Sequence, residues 1–365
     1  MSPRAFLVLL CASVASLGLA TWAVATRDVP VATLAVDRPL LPDLAHKLDR
    51  VAEITVRTAE RSMTARRTAD GWVLAEAADY PVDPEQVRGI VLGLAEMRLL
   101  EARTDRPERL SRLELEPVDG QGAKSRLVTL RDGEGKVLAE VVLGKRRFGL
   151  YGPGKAGMYV RLADSHQAWL ADRAIEVPDE PLDWLDRKIL ELPEDEVAEV
   201  VLQPGTADVA TLQRAQEPSK EFTLLELPEG RRLDADKAKR VASAFATLSM
   251  TDIAQSASKS LPDPVGRAVF RTRDGTEIAV AVSKLGEGDE AEWWLALEAR
   301  ASAAQASATP SSDPGSAAAT KPGLDPQALQ KRFAGRVFKV SRYVAERFSW
   351  KREDLLEPAT AKEGS

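Results

Sequence analysis

The stretch Gly149-Leu-Tyr-Gly-Pro-Gly154-Lys155 matches most of a phosphate-binding loop. Such a loop cradles phosphates with backbone amides and holds magnesium through a Ser or Thr after its lysine. Ala156 stands there and offers no oxygen. The amides must also open a helix, whereas Met158-Tyr-Val-Arg-Leu162 reads as a strand. A glycine-rich hairpin connection fits these residues better. Asp164-Ser165-His166 has the residue types of a catalytic triad, but triad members converge from separated segments. Three neighbours in one turn are instead solvated turn residues.

Metal and cofactor chemistry finds equally little support. The only other histidine is His46, and the single cysteine, Cys11, lies in an apolar N-terminal segment. That leaves no donor set for zinc. Glu194-Asp195-Glu196 lacks the alternating ligands and turn glycine of a calcium loop. Trp293-Trp294 could stack on a sugar, but strand alternation turns one of the pair inward. With 56 acidic residues, a carboxylate pair for hydrolysis is numerically possible, yet none stands in a distinctive setting. The sequence assigns no catalytic, cofactor-binding or metal residue.

The elements that must position any site are more legible. Asp83-Pro84-Glu85-Gln86 opens a run with apolar Val87, Ile90, Val91, Leu94 and Met97. Asp caps and Pro at the first helical position mark a helix start, and the spacing gives one apolar stripe. The pattern recurs from Asp234, 151 positions on, with Ala238, Val241, Ala242, Phe245 and Leu248. Val51–Val56 matches Val197–Leu202, and Arg131-Asp132-Gly133 matches Arg273-Asp274-Gly275, followed at equal distance by Gly144 and Gly286. Hairpins are expected at Met63–Leu74, Leu127–Leu143 and Met158–Leu170. Trp293–Leu297 and Val337–Val340 are expected to complete the second sheet.

No charged residue occurs from Ala5 to Thr26, a span of the roughly 20 residues needed to cross a bilayer. Three readings stand: an uncleaved signal anchor with Phe6, Leu7, Leu9, Leu10, Leu17, Leu19 and Trp22 in lipid, a signal peptide cleaved after Ala25, and a lipoprotein signal ending at Cys11. All three export the body. The scattered basic residues and net charge of −6 do not indicate a nucleic-acid footprint.

The expected fold class is α+β: an N-terminal transmembrane helix followed by two tandem copies of a mainly antiparallel sheet with one packed helix each. Residues 1–4 form a cytoplasmic N-terminus, 5–26 the anchor and 27–47 a tether. The first repeat covers 48–178, a junction helix 179–192, and the second repeat 193–356. An Ala/Ser-rich disordered insertion occupies 299–325, and 357–365 is a loose tail.

Gly71-Trp72-Val73-Leu74, Tyr80-Pro81-Val82-Asp83, Leu143-Gly144, Tyr159-Val-Arg161, Trp184-Leu-Asp186 and Phe333–Val340 occur in this order. Together they resemble the DUF4340 family, a domain of unknown function. The resemblance implies a membrane-anchored bacterial envelope protein auxiliary to gliding-motility-type ABC transport systems. Arg4 ahead of the apolar span gives the expected inner-membrane orientation, N-terminus cytoplasmic and body periplasmic. It supplies no catalytic residues. The functional expectation is a non-enzymatic accessory protein that needs no cofactor and binds no nucleic acid. Its partners would be membrane lipid through the N-terminal helix and an ABC permease or other envelope protein. Trp184 and Asp186 are the candidate contact residues. An envelope glycan or lipid hydrolase and a passive scaffold remain as alternatives.

Overall fold

The computed structural model describes residues 37–150, 156–203, 205–215, 221–301 and 324–358. The expected anchor, with Phe6, Leu7, Leu9, Leu10, Leu17, Leu19 and Trp22, lies outside the described residues. So do most of the 299–325 insertion and the end of the tail. Among the described residues no helix is long and apolar enough to cross a membrane. The longest, Pro84–Ala95, has 12 residues and spans about 18 Å, well short of a bilayer's hydrocarbon core. The expectation of a transmembrane helix in the fold class is therefore corrected. The chain is mostly antiparallel sheet, 41% strand against 22% helix.

In chain order the elements are β1 (Arg38–Pro39), β2 (Val51–Arg57), β3 (Ser62–Thr68), β4 (Gly71–Leu74), β5 (Tyr80–Pro81), α1 (Pro84–Ala95), β6 (Arg98–Thr104), β7 (Arg126–Asp132), β8 (Val137–Phe148), β9 (Ala156–Leu162) and β10 (Ala168–Ala171). There follow β11 (Lys188–Leu190), β12 (Val197–Leu202), β13 (Ala210–Arg214), β14 (Phe222–Leu224), α2 (Ala235–Ala242), β15 (Leu248–Ser249), β16 (Asp252–Gln255), β17 (Gly266–Thr272), β18 (Thr276–Leu285), β19 (Glu292–Ala301), α3 (Pro326–Phe333), β20 (Arg336–Val340) and α4 (Arg342–Ser349). Contacts divide the chain into two compact units. One comprises 1–62 and 88–177, the other 63–87 and 178–365.

In the first unit the strand order is β1-β6-β10-β9-β8-β7-β2, all antiparallel. Of the 27–47 segment, β1 pairs with β6, and Leu40 and Leu44 are buried. Leu110 and Leu115, from the irregular segment after β6, cover Val142, Tyr159, Ala168 and Leu170. Gly144 permits this approach, because a Cβ there would lie 2.4 Å from the Leu113 carbonyl. Gly286, its counterpart by spacing, answers a different need: its φ of +86° sits in the turn after β18.

In the second unit β16-β20-β19-β18-β17-β12 repeats the order β6-β10-β9-β8-β7-β2 strand for strand. Even the register fault recurs, between Val51 and Glu53 against β7 and between Val197 and Glu199 against β17. It also corrects the sequence alignment of the turns. Leu130 faces Ile54 and Phe270 faces Val200, so Arg131 corresponds to Arg271 rather than Arg273. Both arginines then make the same ion pair, Arg131 with Glu53 at 2.8 Å and Arg271 with Glu199.

The expectation of one helix per copy is corrected as well. Helices α3 and α4 flank β20 in the second unit. Each has only 8 residues, about two turns, too few for a repeating apolar stripe to stand out from the charged residues around it. Helix α4 lies on β17, where Phe348 meets Phe270 at 5.9 Å and Phe245 at 5.1 Å. Gly266 makes this possible, since a Cβ there would stand 2.5 Å from the Ser349 Cα. Residues 299–301, assigned from sequence to the insertion, extend β19. The 179–192 segment holds a single 3-10 turn, Pro181–Trp184, and then β11.

Gly266→Ala should destabilise the protein by about 1–3 kcal/mol, the usual cost of overpacking, because backbone rather than a flexible side chain must move. Chemical denaturation measures this; an unchanged midpoint would show that α4 does not rest on β17.

Candidate functional site

A cavity of about 900 Å³ opens within the second unit. One wall is the β3–β4 hairpin with Arg66, Thr68, Asp70 and Trp72, and the other is α3 with Ala328, Lys331 and Arg332. Pro81 and Arg336 contribute further surface, and Asp186 stands at its rim. The hairpin forms because Thr64–Thr68 and Trp72–Leu74 alternate around Asp70-Gly71, with Gly71 at a φ of +124° that side chains disfavour. Helix α3 begins at Asp325, whose carboxylate accepts from the Gln327 amide, followed by Pro326 at the first turn.

One buried tyrosine organises the wall. Tyr80 is fully buried, and its ring meets Phe338 edge-on at 5.9 Å. The guanidinium carbons of Arg332 and Arg336 lie 5.2 and 5.8 Å from the same ring, within cation–π range. Arg332 Nε donates to the Tyr80 hydroxyl, and another of its nitrogens to the Lys188 carbonyl. Burial raises the Tyr80 pKa, with Arg332 pulling the other way, so the phenol stays neutral. Arg336 donates to the carbonyls of Ala78 and Asp79, each at 2.9 Å, and to those of Lys331 and Arg332 at 3.0 Å. Ala78 and Asp79 are left-handed, with φ of 57° and 51°. Such conformations cost of order 1–3 kcal/mol each in a non-glycine residue.

The charges on the wall are paired. Arg66 bridges Asp79 at 2.7 Å, Lys331 reaches Asp70, and Arg332 lies 3.9 Å from Asp186. Thr68 Oγ1 donates to the Gly71 carbonyl. The cavity thus presents arginine planes, a half-buried Trp72 and ion-paired acids, and its lining residues form no nucleophile–base pair.

The sequence candidates fall in different places. Trp184 is completely buried, and its carbonyl accepts from the Asp83 amide at 2.9 Å. Its indole nitrogen has no hydrogen-bond partner among the described residues, and the buried side chain packs the interior, while Asp186 lines the cavity. Asp164 and His166 are both exposed, Asp164 in a turn and His166 in the irregular stretch after it. At Trp293-Trp294, only Trp294 is buried. The Asp83 carboxylate caps α1 through the Glu85 amide at 2.9 Å, and the Gln86 amide bonds the Asp83 carbonyl instead. Arg66 and Arg332 belong to no motif, and Arg336 stands in Phe333–Val340 without having been singled out. Trp72, in Gly71-Trp72-Val73-Leu74, Pro81 and its neighbours, in Tyr80-Pro81-Val82-Asp83, and Asp186, in Trp184-Leu-Asp186, did carry a signal.

Acids elsewhere are held ionised. Burial opposes the charge on Asp132, but amides of Lys136 and Glu134 and the Arg50 guanidinium outweigh it and lower its pKa. Glu277 is likewise held low against burial by Arg271 and Arg300. Glu292 drops from 4.5 to about 2, first through Lys339 Nζ and then through the Trp294 indole N–H, at 2.6 and 3.0 Å. These acids are pushed away from proton donation at neutral pH.

The family model described as a domain of unknown function (DUF4340) matches residues 72–265, more than half of the 365-residue chain. The chain belongs to this family. No curated protein matches it.

Two outcomes follow. Arg336→Ala should lower stability by about 2 kcal/mol or more, the scale of charge-assisted hydrogen bonds. Arg336→Lys should restore little, because an ammonium cannot span the carbonyls a planar fork reaches. Denaturant midpoints decide both. For Glu292, the folded pKa lies below the ordinary value, so its contribution is complete above about pH 4.5 and is lost as pH falls towards 2. Solvent screening at this partly exposed site keeps the effect small. The melting-temperature gap between wild type and Glu292→Gln should close over that window in a pH series.

Proposed function

We propose that this chain is a non-enzymatic accessory protein of an ABC-type transport system, acting in the periplasm. It would hold an extended segment of the permease, or of another envelope protein, in the cavity between the β3–β4 hairpin and α3. The observation that supports this reading is the make-up of that cavity. Trp72, Arg66 and Arg332 are residue types that dominate binding energy at protein interfaces, and about 900 Å³ matches a site for several side chains. Paired acids and bases on both walls suit a polypeptide of mixed charge. The transport context comes from the family resemblance.

Placing a photo-crosslinking amino acid at Ala328, an exposed helix position on the wall, should yield an adduct with an ABC permease in cells. Trp72→Ala should weaken that association about tenfold or more while the melting temperature is followed alongside. Adduct yield indifferent to Trp72→Ala, or adducts confined to abundant bystanders, would overturn the reading.

A further inference from the structure

The glycine-rich connection after β8, set aside as a nucleotide site, sits on a hairpin with its own surface chemistry. Strands β8 and β9 run past their neighbours. Pairing of β8 with β7 ends at Leu143 opposite Arg126, and β10 covers β9 only over Met158–Val160. Residues 145–148 are paired with β9 alone, through Arg146 with Met158, Arg147 with Gly157 and Phe148 with Ala156. This free end carries Lys145-Arg146-Arg147-Phe148, all exposed.

Two features of this end are unusual. Phe148 is 77% exposed, more than any other large apolar side chain among the described residues. Leu150, two positions on, does the opposite and packs against the Leu110–Tyr159 core. A collapse that takes Leu150 leaves the Phe148 ring without a packing role among the described residues. The cations are also largely uncompensated. Arg146 lies 3.7 Å from Glu176, while Lys145 and Arg147 make no ion pair among the described residues. On a strand, alternate side chains leave opposite faces, so in the regular pairing of 146–148 Arg146 and Phe148 share one face and Arg147 takes the other, with Lys145 in the register shift just before them. Cations therefore flank the ring on both sides of the hairpin.

We propose that the 145–148 end of the β8–β9 hairpin is a membrane-surface contact that docks on anionic phospholipid. An aromatic ring settles at the headgroup level, and basic side chains beside it are drawn to anionic headgroups. Each Lys or Arg held at such a surface strengthens binding about fivefold. A polyanion such as single-stranded DNA would also attract the cations, but a ring projecting at the hairpin end suits insertion between headgroups. This surface lies in the first unit, and its test is independent of the cavity described above.

The test is co-sedimentation of the full chain with vesicles of phosphatidylglycerol mixed with phosphatidylcholine. Vesicles of phosphatidylcholine alone set the baseline for purely apolar binding, including any by residues 5–26. Wild type should bind the anionic vesicles more tightly than the neutral ones, and salt should erase the difference. Lys145→Gln with Arg147→Gln should remove roughly 25-fold of the anionic increment, and Phe148→Ala should weaken it further. All three residues are exposed, and matching melting curves confirm that the variants fold. An anionic increment unchanged in the double variant would overturn the proposal. So would binding to single-stranded DNA that competes with the vesicles and is indifferent to Phe148→Ala.

Discussion

A single guanidinium, that of Arg336, fixes the geometry on which the cavity depends. Its nitrogens satisfy the last carbonyls of α3, which the helix itself leaves unpaired, and the carbonyls of Ala78 and Asp79. The left-handed turn at 78–79 would be costly if nothing held it. Once held, it delivers Tyr80 against Phe338, sets Val82 opposite Leu185 in an isolated bridge, and brings the Asp83 amide to the Trp184 carbonyl. The β3–β4 wall, the start of α1 and the rim residue Asp186 all take their places from this clamp.

Duplication explains much of the remainder. The same six-strand order, the same register fault and the same Glu–Arg pair occur in both units. The departures are where function can be sought. The first unit carries the overlong β8–β9 hairpin with its basic end. The second carries α3 and α4 around β20, and α3 becomes a wall of the cavity.

The strands and the two capped helices were legible because alternation, Asp caps and turn glycines are local signals. Val51–Val56, the Asp70-Gly71 turn and the stripe from Val87 to Met97 needed no tertiary information. The turn alignment failed by two residues because Arg-Asp-Gly recurs in turns of different length, and only strand register reveals that Arg271 is the partner of Glu199. Of the cavity, Trp72 and Asp186 stood in recognisable motifs, but the arginines that shape it did not stand out. Arg332 and Arg336 look like ordinary solvated charges in sequence, and their role exists only because residues more than 250 positions away, Tyr80 and Ala78, reach them. Trp184, expected as a contact residue, is fully buried and packs the interior.

That long separation has a consequence for how the chain is made. Ala78 leaves the ribosome 258 residues before the arginine that holds it. At ordinary elongation rates the hairpin waits roughly 10–50 s for its partner. During that interval Tyr80, fully buried in the finished protein, lacks the Phe338 and Arg332 that pack against its ring. The nascent chain thus carries an apolar tyrosine ring without its cover until α3 and β20 emerge.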